Sequence, residues 1–188
     1  MNWYDLLLFA HISGALGFFS GVALWAAVLM ALRRAQRVED VRTLSAIIHR
    51  SLPITIISIL VLLAAGVSMV IMSWSFTAGW IEVALGSLAL IAPMSPTFID
   101  SRLKTIAKLA DNAPDGPLSH DLASKIHNPL LASAMYSLVF LVLGIVALMV
   151  LKPPFDEALV IMGSALVLGV IVCVPLWRHT NVAKNVAL

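Results

Sequence analysis

The chain has 188 residues, of which 61% are hydrophobic and only 12% are charged, with a formal net charge of +2. A soluble domain carries about 45–50% apolar and about 25% charged residues, so this chain has too few polar groups to cover a soluble surface. The composition excludes an ordinary soluble domain and indicates a protein whose solvent is lipid. The single cysteine, Cys173, excludes a disulfide within one chain.

The first apolar run covers residues 6–32 and contains one strongly polar side chain, His11. The residues before it lack the basic segment of a cleavable signal peptide, so we expect a retained helix. Four further runs are long enough to span a membrane, at residues 52–74, 80–99, 130–151 and 158–177. Because backbone polar groups in lipid must be satisfied internally, each run predicts a helix. The sequence therefore predicts a single all-α domain over residues 1–188, an integral membrane bundle of five transmembrane helices.

The positive charges lie almost entirely on one side of the predicted bundle. Lys152 is the exception, and the other eleven Lys and Arg residues follow the first, third or fifth helix: Arg33, Arg34, Arg37, Arg42, Arg50, Arg102, Lys104, Lys108, Lys125, Arg178 and Lys184. Cytoplasmic connections carry such an excess, so we predict that the N-terminus is outside and the C-terminus cytoplasmic. Residues 100–128 then form a cytoplasmic loop, and four aromatic residues mark the outer interface: Trp3, Tyr4, Trp74 and Trp80.

His11 is the most informative residue, because ionisable side chains inside a membrane are costly and indicate functional sites. Gly14, Gly17 and Gly21 form a bare strip beside it, with a GxxxG pair at the last two positions. In one interpretation a flat macrocycle, haem b, lies on this strip with His11 as an axial ligand. In the other, the strip admits a neighbouring helix, including that of a second copy in a homodimer, and His11 forms a hydrogen bond across the contact.

A haem iron held by His11 takes a second ligand or stays five-coordinate. At the depth of His11, the second helix supplies Met69 and Met72, while Met149 and Met162 lie at a similar level in the fourth and fifth helices. Each thioether is a candidate ligand, and each can equally be an ordinary apolar filler.

Three further ionisable residues are candidates for a second site or a proton relay. Glu82, near the outer end of the third helix, can orient His11 through a hydrogen bond or reach the outer headgroups. His49 and His127 precede the second and fourth helices, where they can hold a second haem or remain solvated at the interface. In the third helix, Pro93 and Pro96 predict a break.

The segment LLLFAHISGALGFFSGVALWAAVLMALRR, residues 6–34, resembles the first helix of a bacterial membrane family, domain of unknown function 2269. The shared pattern is a leucine-rich start, an intramembrane His11, a glycine-rich stretch and an arginine pair. Similar first helices occur in copper-resistance D-type proteins and HemJ-type protoporphyrinogen oxidases, which look like haem-linked membrane bundles. The resemblance implies haem or metal handling around His11 and a location in the bacterial inner membrane.

Three functions follow from these observations. The first is a small membrane b-type haem protein for electron transfer or haem-linked redox chemistry, working with a membrane redox partner. The second is a cofactor-free, proton-linked transporter that uses His11 and Glu82. The third is an accessory subunit of a larger membrane complex. A nucleic-acid partner is not expected, because membrane topology already explains where the basic residues lie.

Overall fold

We describe residues 2–174 of the chain in a computed structural model, with the backbone alone for residues 93–97. Within these residues the chain forms seven α-helices: α1 (Trp3–Leu32), α2 (Val38–Ser73), α3 (Gly79–Met94), α4 (Ser101–Asp111), α5 (His120–Ile126), α6 (Pro129–Leu151) and α7 (Phe155–Ile171). The same residues contain no β-strand, so the predicted all-α fold is confirmed.

Three helical stretches are long and apolar enough to cross a membrane: Trp3–Leu32, Val38–Ser73 and His120–Leu151, the last of which joins α5 and α6. They coincide with the first, second and fourth predicted spans. A shorter apolar helix, Gly79–Ala92, occupies the third. The third and fifth spans stay predictions, and the inner end of the fifth, with Trp177, Arg178 and Lys184, lies outside the described residues.

Helix α2 begins at Val38, well before the predicted start of its span at Leu52. Its first turn carries Glu39 and Asp40, and negative charge is favourable at a helix N-terminus. The helix also continues through Pro53. The apolar run alone located the part of α2 that suits lipid, whereas the preceding turns are a polar extension held by packing against α4.

The third apolar run is interrupted at its prolines, as predicted. Helix α3 stops at Met94, and a π-helical turn, Ser95–Asp100, leads directly into α4. Pro93 and Pro96 lack a backbone N–H, so the regular ladder of hydrogen bonds cannot continue through them. A π-helical turn is one of the known ways in which a helix accommodates such a gap.

The helices meet in a large core at one end and a smaller core at the other. Helices α1 and α2 form an antiparallel hairpin with the most extensive contact in the described structure, and α6 packs on α7 and α3. The main core lies where α1 ends and α2 begins, and it buries side chains from six helices, α1 to α6, among them Leu29, Val41, Ile106, Ile126 and Met135. A smaller core joins α3, α6 and α7 at the opposite end through Val83, Leu148 and Met162.

The end with the main core is closed by a polar cap, which we define as residues 36–42 together with residues 110–118. Backbone hydrogen bonds join the two segments, from Val38 to Gly116 and from Leu118 to Gln36. The guanidinium of Arg42 donates to three acceptors in the second segment, the carbonyls of Ala110 and Ala113 and the carboxylate of Asp115. The cap thereby ties the start of α2 to the connection between α4 and α5.

Glu39 adds a charge pair to the polar cap. Its carboxylate accepts hydrogen bonds from the Arg37 guanidinium at 2.6 Å and from the backbone N–H of Gly116 at 3.2 Å. The hydrogen bond from Arg37 lowers the pKa of Glu39 to about 2. Because exposed ion pairs are screened by water and salt, this pair orders the connection more than it stabilises the fold.

Candidate functional site

A cavity of about 530 Å³ lies between the α1–α2 hairpin on one side and α3 and α6 on the other. Its lining reaches the end of the bundle opposite the polar cap, which we call the aromatic end because Tyr4, Trp74 and Trp80 line the cavity there. Protein interiors are close-packed, with few voids larger than a water molecule. Ligand sites measure about 300–1,000 Å³, so this cavity has the size of a binding site rather than of a packing defect.

His11 is a polar side chain in an otherwise mostly apolar lining. Its Nδ1 lies 2.9 Å from the carbonyl oxygen of Leu62 on α2. Because a carbonyl can only accept, Nδ1 of the neutral ring carries the proton and Nε2 keeps its lone pair. Within the described residues, Nε2 has no hydrogen-bond partner. Histidines that bind metals are held in this way, with one ring nitrogen donating to a fixed acceptor.

Gly66 on α2 makes room for the imidazole. A Cβ atom at Gly66 would lie 2.9 Å from both Cε1 and Nδ1 of His11, closer than carbon side chains approach one another. The sequence reasoning missed this residue. The available signal was a lone glycine inside an apolar helical run, where it costs about 1 kcal/mol relative to alanine and usually has a packing reason.

The glycine strip of α1 faces α2. A Cβ atom at Gly14 would lie 2.6 Å from the backbone nitrogen of Leu62, and added carbons at Gly17 and Gly21 would meet the side chains of Ser58 and Thr55. Helix α2 therefore covers the strip, and a macrocycle cannot lie on it, which corrects that part of the haem interpretation. The strip serves helix packing within one chain, and a homodimer through this face would have to displace α2.

The structure separates the methionines that we considered as iron ligands. Met69, 9% exposed, and Met149 both line the cavity with His11. Met72 is 54% exposed and lies outside the lining. Met162 packs against Gly144 between α6 and α7. Met69 and Met149 are therefore the thioethers that share the cavity with the imidazole.

Glu82 and the two inner histidines are not gathered around His11. Glu82 is exposed and does not line the cavity, while Nδ1 of His11 is paired with Leu62 instead. His49 is exposed. Both ring nitrogens of His127 lie within hydrogen-bond distance of carbonyl oxygens, Nδ1 at 2.9 Å from Ala123 and Nε2 at 3.2 Å from Arg33. Carbonyl oxygens thus face both ring nitrogens of His127, which links the end of α1 to α5, and a second haem held with His49 stays a prediction.

No group of three or more His, Cys, Asp or Glu side chains placed to hold a metal ion occurs in the part of the chain that the structure describes. A site built from protein ligands alone is therefore not seen there. Haem iron differs in this respect, because the macrocycle supplies four ligands and the protein adds only one or two axial ones.

Lys152 and two tryptophans line the cavity at the aromatic end, and we call this part of the lining its mouth. The Nζ atom of Lys152 lies 4.5 Å from the ring centroid of Trp74 and 6.0 Å from that of Trp80. The two rings meet edge to face, with centroids 5.3 Å apart. Such cation–π contacts stabilise by about 0.5–1 kcal/mol at exposed sites. The mouth thus places a cation against an aromatic wall.

Apolar helices of membrane-spanning length, packed around an apolar cavity, define a helical integral membrane protein. The chain belongs to the family described as Predicted integral membrane protein (DUF2269), whose profile matches residues 5–153. This confirms the family suggested by the first helix, and the matched region includes His11, Gly66 and Lys152. No curated protein and no solved structure matches the chain. The resemblance to copper-resistance D-type and HemJ-type proteins stays a prediction.

Proposed function

We propose that this protein is a small b-type haem protein of the membrane, for electron transfer or haem-linked redox chemistry, with His11 as an axial ligand. The observation that supports it most is the environment of His11. One ring nitrogen donates to the Leu62 carbonyl and the other keeps its lone pair, and the residue lines a largely apolar cavity of about 530 Å³. Burial and second-shell hydrogen bonds of this kind are how proteins tune a haem.

The side chains around the cavity fit the rest of such a site. Met69 and Met149 are the thioethers available as a second axial ligand, and Met ligation raises the reduction potential of haem iron. The aliphatic walls exclude water and keep the local dielectric constant low. Haem, when bound, supplies one-electron redox chemistry, whereas the chain's own residues bind, orient and desolvate it.

We propose the five-helix topology with it, with the N-terminus outside and the C-terminus in the cytoplasm of the bacterial inner membrane. In its support, α3 and the π-helical turn follow one another directly and together cover Gly79 to Asp100, about the length that a span requires. Helix α7 packs along α6 and α3 as a further apolar helix. The cavity then opens near the outer surface, and an electron-transfer partner meets the protein there or within the membrane.

The first experiment is an absorption spectrum of the detergent-purified full chain, oxidised and then reduced with dithionite. We expect a Soret band and b-type reduced bands at about one haem per chain. His11→Ala should lose the bands, and His49→Ala, which removes an exposed histidine, should keep them. Protein produced with ample haem that shows no bands would refute the proposal, and so would a full haem content in His11→Ala.

A further inference from the structure

We infer that Lys152 is an anion-recognition residue at the mouth of the cavity, which pairs with the propionate carboxylates of the haem and places them at the aromatic end. The inference rests on the proposed function and adds to it the orientation of the ligand. Among the described residues that line the cavity, Lys152 alone carries a permanent positive charge. The remaining lining, apart from His11, is apolar or aromatic, so a ligand with an apolar body and an acidic edge is complementary to it.

The backbone at Lys152 indicates that the side chain itself is needed. Lys152 is the C-cap of α6 and adopts the left-handed conformation, with φ 49° and ψ 49°. Glycine is the usual residue there, because a Cβ atom destabilises this conformation. The following residue is Pro153, which further restricts the backbone of the residue before it. The left-handed conformation is therefore less favourable for lysine than it would be for glycine.

The surroundings of Lys152 leave its ammonium available. Its contacts are the faces of Trp74 and Trp80, and its side chain forms no ion pair with a described carboxylate. The aromatic rings lie against the ammonium without neutralising its charge. A carboxylate arriving at the mouth therefore meets a positioned cation.

The test compares two probes that differ only in their acidic edge, hemin and its dimethyl ester, titrated into the detergent-solubilised apoprotein and followed by the Soret band. For the wild type we expect about fivefold tighter binding of hemin than of the ester, at the upper end of what a partly exposed ion pair contributes. In Lys152→Gly, which fits the left-handed backbone, the ratio of the two affinities should fall to about one. Lys152→Arg should keep the preference for hemin, and added salt should reduce it.

The outcomes separate the two claims. If Lys152→Gly keeps the wild-type preference for hemin, the role of Lys152 is overturned while haem binding stands. If the wild type binds both probes equally well, the same conclusion holds. If the wild type binds neither probe, the proposed function is refuted, and the inference about Lys152 fails with it.

Discussion

At the scale of single residues, His11 and Gly66 form one unit although 55 positions separate them in the sequence. His11 was recognisable because a lone ionisable side chain inside an apolar run is costly. Gly66 was not, because its role exists only in the register that the α1–α2 hairpin creates. The absent side chain lets the imidazole lie against α2 with Nδ1 on the Leu62 carbonyl.

Replacing Gly66 with alanine tests this unit. The added Cβ would lie 2.9 Å from two ring atoms of His11, so the ring must shift by several tenths of an ångström. Alanine favours the helix by about 1 kcal/mol over glycine, so a loss of function cannot be assigned to helix propensity. We expect Gly66→Ala to lower the haem content or affinity several-fold, measured by the Soret absorbance per chain.

Gly86→Ala is the matched control for Gly66→Ala. Nothing lies within 4 Å of a Cβ added at Gly86, which is likewise helical. Its haem content should equal that of the wild type. Equal spectra for all three proteins would contradict the positioning role that we assign to Gly66.

At the scale of helices, the α1–α2 hairpin is held by close approach of backbones. We expect Gly14→Ala to destabilise the protein by about 1–3 kcal/mol, because the new Cβ would meet backbone atoms of Leu62 and Ser58 that cannot rotate away. Gly163→Ala in α7, where a Cβ meets open space, should be neutral or slightly stabilising. Midpoints of SDS or thermal denaturation in detergent measure both, and equal midpoints would refute the packing role of the strip.

The polar cap depends on Arg42, whose three donors reach two carbonyls and a carboxylate. We expect Arg42→Ala to release the connection between α4 and α5 and to increase the rate of limited proteolysis within residues 111–119. Arg42→Lys should rescue it only in part, because a single ammonium cannot reproduce the guanidinium fork. Arg50→Ala, an exposed change on the same helix, is the control and should leave the cleavage rate as in the wild type.

Much of the helical architecture was predictable, since length and apolarity alone locate membrane-suited helices. The prolines also indicated correctly where α3 ends. What remained unpredicted depends on contacts distant in sequence, such as the extension of α2 back to Val38. A helix packed on the glycine strip was one of the two interpretations, but the sequence did not show that this helix is α2. The same limitation kept the alternatives open at His127 and Glu82: a histidine or glutamate at the right depth was visible, but the direction of its side chain was not.

At the scale of the whole molecule, the proposed topology predicts on which side of the membrane each connection lies. In a Cys173→Ser background, we expect a membrane-impermeant maleimide to label Ser75→Cys and Asp156→Cys in intact spheroplasts. Lys125→Cys should react only after permeabilisation, because it follows the third proposed span. Labelling of Lys125→Cys from outside would show that α3 does not cross, and inside-only labelling of Ser75→Cys would reverse the orientation.

The main core and the smaller core differ in size, and this difference affects how the α1–α2 hairpin can move. Helices α1 and α2 are anchored to the rest of the bundle through the main core and the polar cap, whereas at the aromatic end a cavity lies between them and α3 and α6, bridged by the contacts of Trp74 with Trp80 and Lys152. Movement of the hairpin away from α3 and α6 at the aromatic end would break these contacts of Trp74 and leave the main core packed. A bulky ligand can enter from the bilayer by this lateral movement while the main core stays packed. We expect amide hydrogen exchange to be faster around Tyr4 and Trp74 than around Leu29. Exchange around Tyr4 and Trp74 should become slower when the ligand is bound.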